Sequence, residues 1–326
     1  SVAKAYMDRN PDVVIDVQVT SWDEYWTKLD AAAESNQLPD IFWMHTNQIL
    51  KYADYGKLAD VTDLYDQEDP EYYTKHFSEI SLNNAKGSDG RIYGVPKDKD
   101  TVCLVYNREM FDNAGFAYPD ESWTWDNLTE ASAAIYDKTG KYGFMAYADD
   151  QLGYWNFVYQ AGGHILNKDK TKAGFMDPAT RKGMEFYIHL QKEPWCPDQK
   201  YFAETNPGTA FISGQGAMYL EGSWNLMSMM ENNKDMEGKW DVAVLPKCPD
   251  PLNGDGRATI SNGLCYATGA KGKKLEHAKD FLKFAGSEEG QRAQGLSGAA
   301  IPAYEGLEHT WIQAFSQFDY KLDVQK

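Results

Sequence analysis

Phe211-Ile212-Ser213-Gly214-Gln215-Gly216-Ala217-Met218-Tyr219-Leu220-Glu221-Gly222-Ser223-Trp224 compresses a strand, a turn and the start of a helix into one stretch. Gly216 to Leu220 reads as a strand, and Gly222-Ser223-Trp224 turns it into the next helix. Glycine at such a turn lets the backbone come close to a neighbour, and ligands gather at strand ends of this kind. An indole at that turn is therefore either a core anchor or a flat surface presented to a ligand.

Outward from this stretch the pattern repeats. Val102 to Tyr106 reads as a strand feeding the helix Arg108 to Asn113, which Gly115 ends. Thr124 is an N-cap for a helix running to Asp137. Strand-like Tyr142 to Tyr147 precedes helices Trp155 to Ala161 and Ala179 to Gln191. Trp240 to Leu245 and Thr259 to Thr268 read as strands, followed by helices Leu275 to Ala285 and Trp311 to Phe318. Towards the N-terminus, the helix Val2 to Arg9 stops at Pro11, and Val13 to Val19 reads as a strand. Trp22, Tyr25, Trp26, Leu29, Ala32 and Ala33 recur at helical spacing. Pro39 to Met44 and Arg91 to Val95 read as short strands. Alternation of this kind predicts α/β architecture with mostly parallel sheets.

The chain has 326 residues, 42% hydrophobic and 25% charged, the composition of a globular protein large enough for two domains. With 49 acidic against 32 basic residues, the formal charge of −17 repels nucleic acid and anionic lipid. No apolar run is long enough for a spanning helix, and there is no signal segment in the sequence. Ten Trp and twenty-one Tyr exceed ordinary core needs, a surplus that marks surfaces stacking on rings. Cys103 and Cys265 lie in apolar strand-like runs and read as buried thiols; Cys196 and Cys248, each before a proline in loop sequence, could pair.

The sequence carries no complete catalytic motif. The six histidines form no HExxH or other tight ligand spacing, and no cysteine pair has zinc-site spacing. Gly295-Leu296-Ser297-Gly298-Ala299 follows a charged helix rather than a strand, so it reads as a helix end and not as a nucleophile elbow. Nucleotide-binding glycine loops are missing. Asp98 with Asp100, Asp149 with Asp150, and Glu221 lie at strand ends, where the acids of a glycoside-active enzyme would also sit.

Four segments, in order along the chain, resemble the solute-binding proteins of sugar ABC importers, the maltose-binding-protein-like group. They are Leu38-Pro39-Asp40-Ile41-Phe42-Trp43-Met44-His45; Gly90 to Pro96 continued by Asp100 to Asn107; Phe116 to Pro119 with Trp123 to Leu128; and Phe211 to Trp224. The resemblance implies an α/β, two-lobed periplasmic-binding-protein-like fold (type II), with the ligand cleft between lobes and crossing segments near Asp98 to Val102 and Ala258 to Gly263. It implies an N-terminal lobe of residues 1–99 plus 260–297 and a C-terminal lobe of 100–259 plus 298–326. The family's leading strand precedes the helix Val2 to Arg9 and is not in this sequence. Further helices of the second lobe would follow Lys326.

Carried over by position, Trp43 matches an aromatic contact of the first lobe and Trp224 the aromatic platform of the second. Asp100 and Asp150 match acidic ligand contacts, and Trp155 opens a helix seen in the family. Tyr154 and Asn262 are further candidate contacts, the latter on the return crossing. Thr46 stands where the maltose binder has a sugar-contacting carboxylate, a departure that bears on specificity. The remaining tryptophans Trp22, Trp26, Trp195 and Trp311 are assigned to packing. Sugar rings suit such residues, because their C–H faces stack on aromatics and their hydroxyl rims bond to carboxylates and amides.

The expectation is a non-catalytic receptor for a mono- or oligosaccharide, closing by a hinge motion and delivering its ligand to the membrane subunits of an ABC importer. It would act as an extracellular or periplasmic monomer, as a lipoprotein or free, without cofactor, metal or nucleic-acid partner. A glycoside-active enzyme using paired carboxylates, or an interaction module that never closes on a ligand, are the alternatives.

Overall fold

A computed structural model describes residues 1–65, 69, 71–169 and 171–325. The chain divides into two compact units, Ser1–Asp100 with Asn262–Phe315 and Thr101–Ser261 with Ser316–Lys326. It therefore passes between them after Asp100, after Ser261 and after Phe315.

Eight strands are formed among the described residues: β1 (Phe42–His45), β2 (Val95–Pro96), β3 (Asp100–Asn107), β4 (Tyr142–Phe144), β5 (Gly216–Gly222), β6 (Trp240–Ala243), β7 (Ser261–Asn262) and β8 (Leu264–Ala267). In the first unit the sheet order is β1-β8-β2; in the second it is β4-β5-β3-β6, with β7 pairing on β3. Residues from Val2, Tyr6, Val61, Tyr73 and Phe281 build one core of the first unit, and Leu29, Met44, Ile49 and Ala267 a second. Phe111, Leu128, Phe144, Phe157 and Met218 are fully buried in the second unit.

The expectation of mostly parallel sheets does not hold. β1 and β2 both run antiparallel to β8, β3 runs antiparallel to β5 and β6, and only β4 with β5 is parallel in the main ladders. The parallel rule applies to strands joined by a crossover helix within one sheet. Strands β3 and β8 instead come directly after a passage from the other unit, so their sense is set by that passage.

Two further expectations change. Val13 to Val19 forms neither helix nor ladder, and Val14 and Val19 are 88% and 90% exposed. Ile15 of that run packs against the first core. Residues 298–315, expected in the second lobe, fall in the first unit. There the Trp311 indole N–H donates to the Gly298 carbonyl (3.1 Å), Tyr304 N–H donates to Gln291 Oε1 (3.2 Å), and Ala303, Tyr304 and Leu307 join the first core.

All four cysteines are free, so Cys196 and Cys248 are not bridged. Each thiol instead has a local partner, Cys196 Sγ the Pro197 carbonyl and Cys248 Sγ the Asp250 carboxylate. Among the described residues no helix is long and apolar enough to cross a membrane, and no cluster of side chains could hold a metal ion.

Candidate carbohydrate site

In the second unit, β5 is buried along its whole length and delivers the chain into the helix Ser223–Asn232. Trp224, half-buried, folds its indole back over the residue before the helix. A Cβ on Gly222 would lie 2.2 Å from the Trp224 ring, so no other residue fits beneath it. Gly222 has an ordinary φ of −88°, hence its glycine is required for space and not for backbone freedom.

Glu221 fastens the same turn. Its Oε1 accepts from Gly222 N–H (2.8 Å), and its Oε2 accepts from Asn225 Nδ2 (2.9 Å) and the Tyr219 hydroxyl (3.3 Å). Burial pushes its pKa up against the lowering effect of these donors. Ser223 Oγ accepts from Thr101 N–H (3.1 Å), which ties the helix start to β3.

Asp150, Tyr154 and Trp155 come together on a wide turn, Asp150–Tyr154, and the helix after it. Asp149 caps the turn by accepting from Leu152 N–H (2.7 Å), and burial raises its pKa. Asp150 is exposed, with Oδ1 on Gln151 N–H (2.6 Å). The Tyr154 and Trp155 rings stand edge to face, with centroids 6.5 Å apart. The Trp155 indole nitrogen is buried and has no hydrogen-bond partner, an unmet donor that ordinarily costs roughly 1–3 kcal/mol. Asn156, fully buried and not anticipated, anchors the turn. Its Nδ2 donates to the Gln151 and Gly153 carbonyls (2.8 and 3.1 Å), and its Oδ1 accepts from Ile260 N–H (2.9 Å).

In the first unit, Phe42 and Met44 point into the core and Trp43 points outward, 43% exposed. The Lys97 ammonium sits 4.5 Å from the Trp43 ring centroid. Lys97 is itself buried and paired with buried Asp98, whose Oδ1 accepts from Leu264 N–H (2.6 Å). Tyr25 OH donates to the Trp43 carbonyl (2.6 Å). Asn262 is half-buried on β7, next to Gly263, where a Cβ would meet the Asp98 carbonyl at 2.3 Å.

Asp100 lies elsewhere in character: it is 3% exposed, and its Oδ1 accepts from Ile301 N–H (3.1 Å). Its carboxylate, like those of Asp98, Asp149 and Glu221, is engaged by donors of its own chain, which is how structural acids behave and not a free acid/base pair. Of the tryptophans assigned to packing, Trp195 and Trp311 are buried and Trp26 is half-buried, but Trp22 is 50% exposed. Its position at the first turn of the helix Trp22–Glu34 matched the apolar spacing, which does not distinguish a core face from an aromatic surface.

Residues 1–315 match the model of the bacterial extracellular solute-binding protein family, and the chain belongs to that family. The diacetylchitobiose binding protein of Streptomyces coelicolor is 25% identical over 293 residues, 89% of this chain and 66% of that one. The maltodextrin-binding protein of Bacillus subtilis is 21% identical over 307 residues, covering 92% and 69%. The chain thus spans about two thirds of the length of these curated relatives. Among solved structures, the ABC substrate-binding protein of Listeria monocytogenes in complex with cycloalternan superposes with a TM-score of 0.82. At 23% identity, covering 98% of this chain and 80% of that one, it shows the shared two-lobed fold.

Proposed function

We propose that this chain is a carbohydrate-binding receptor that hands an oligosaccharide to the membrane subunits of an ABC importer without transforming it. The observation that carries the reading is an exposed or half-exposed indole on each unit, Trp43 over Lys97 on β1 and Trp224 over Gly222 just after β5, each with hydrogen-bonding side chains close in sequence. The unmet indole donor of Trp155 supports it, since a ligand hydroxyl is a suitable acceptor. Diacetylchitobiose and maltodextrin, named for the relatives, give the ligand class; Trp43, Asp150, Tyr154, Trp155, Trp224 and Asn262 are the contacts we assign. Asp100 is assigned as a further contact by its position alone, since it is 3% exposed and its Oδ1 accepts from Ile301 N–H. The receptor works as an extracellular monomer, lipid-anchored or periplasmic.

A thermal-shift screen of oligosaccharides tests this. A ligand at 100 times its Kd adds about 2.7 kcal/mol of stability. Product analysis on the best ligand should show no cleavage, and scattering should show the radius of gyration fall on saturation, as hinge closure requires. Enzyme-dependent cleavage would overturn the receptor reading, and an unchanged radius would overturn the hinge.

A further inference from the structure

Trp22 is half-exposed yet rigidly held. Its ring stacks on Tyr25 (centroids 6.2 Å apart, planes 8° from parallel) and meets Trp26 (5.3 Å) and His45 (5.9 Å) edge to face. An exposed ring that needed only to pack would have no reason to be fixed on three sides while half its surface faces solvent. Trp43 and His45 are two residues apart on β1, so their side chains leave the same face roughly 7 Å apart. Trp22 touches the His45 ring, and Tyr25, which it stacks on, bonds the Trp43 carbonyl. Trp22 and Trp43 are thus both neighbours of His45.

We infer that Trp22 is a second sugar-stacking platform in the first unit, which takes a further ring of an oligosaccharide whose neighbouring residues lie over Trp43. The inference rests on the receptor reading and deepens it, because two neighbouring platforms select chains of several rings over a single sugar. Continuity with the Trp43 surface argues for this occupant, since neighbouring aromatic faces are what successive sugar rings stack on.

The test uses two ladders, glucose through maltotetraose and N-acetylglucosamine through its β-1,4 tetramer, titrated calorimetrically into the wild-type chain, Trp22→Ala and Trp224→Ala. Trp22→Ala should leave the monosaccharide unaffected and weaken the longest bound member by about thirtyfold, the scale of a hot-spot truncation. Should Trp22→Ala melt early, Trp22→Gln, which retains side-chain bulk at the helix start, gives the same reading. Equal affinity of the wild-type and Trp22 variants at every length, or an equal loss at every length, would overturn the second platform. If Trp224→Ala nevertheless loses binding, the receptor reading survives. Failure of the wild-type chain to bind either ladder would overturn both. A wild-type dimer in sedimentation that Trp22→Ala converts to monomer would assign this face to a second copy and overturn the inference.

Discussion

The two units hold their indoles by different physical means. In the first, Trp43 stands on an outward strand position, with a buried ammonium against its ring and a tyrosine on its carbonyl. In the second, Trp224 rests on a glycine that leaves room for the ring and nothing else, while Glu221 closes the turn. One indole is held by charge, the other by shape. Charge-held geometry depends on a buried ion pair staying whole; shape-held geometry depends on one missing methyl group.

The largest expected effect breaks the first arrangement. Lys97→Met leaves Asp98 buried without its cation, and loss of one partner of such a pair costs about 3–5 kcal/mol. Chemical denaturation monitored by circular dichroism should show that loss, and Lys97→Met with Asp98→Asn should recover part of it. If the single variant is as stable as the wild-type chain, the ion pair does not hold Trp43.

Trp224→Ala should cost about 2 kcal/mol or more in glycan affinity, as truncation of a central aromatic contact does. A variant that melts much earlier yet binds unchanged would make Trp224 a packing residue. Gly222→Ala is the sharper probe. The added methyl must displace the Trp224 ring, and overpacking of this kind typically costs 1–3 kcal/mol. Affinity should fall with Trp224 still present, which separates the pose of the indole from its identity.

Next is a pH effect. Burial raises the pKa of Glu221 above its unfolded value of about 4.3, so the folded state favours the protonated form. Its contribution to stability is therefore least unfavourable at and below that value and declines as pH rises towards the folded pKa. Glu221→Gln, neutral throughout, should show a smaller loss of stability than the wild-type chain as denaturation is followed upward from pH 4. Identical pH profiles would show that Glu221 does not titrate differently on folding. The smallest effect is expected for Tyr25→Phe, which removes one hydrogen bond to the Trp43 carbonyl at about 1 kcal/mol. No change in stability there would mean that water replaces the hydroxyl.

The fold was legible wherever local rules suffice. The helix Val2–Arg9, the Thr124 cap of Trp125–Thr139 and the αL Gly115 ending Arg108–Ala114 follow from capping and spacing alone. Strand sense was not legible, because β3 and β8 take their direction from the passages between units, which no residue pattern encodes. Nor was pairing, since the β-branched run Val13 to Val19 has the composition of a strand but no partner among the described residues. For the site, Trp43 and Trp224 could be singled out by turn chemistry and resemblance. Lys97, Asn156 and the exposure of Trp22 could not, because each depends on what lies opposite in space. Asp150 and Asp149 show the same limit: adjacent in sequence, one is exposed and the other caps a turn.

The exposed, unpaired run from Val13 bears on how the chain ages. Its backbone is accessible, so a protease meets its first cut there, between the helix Val2–Arg9 and everything that follows. The severed helix would still be docked. Tyr6 packs edge-on against Phe281 and Phe284 and bonds Asp280 (2.5 Å), and Arg9 pairs with Glu289 (2.7 Å). A nick would leave the segment that carries this helix held by contacts alone, with an occupancy that falls on dilution, since the covalent link is what supplies its effective concentration. Nicked and intact material would look alike in a concentrated tube and part company only when diluted.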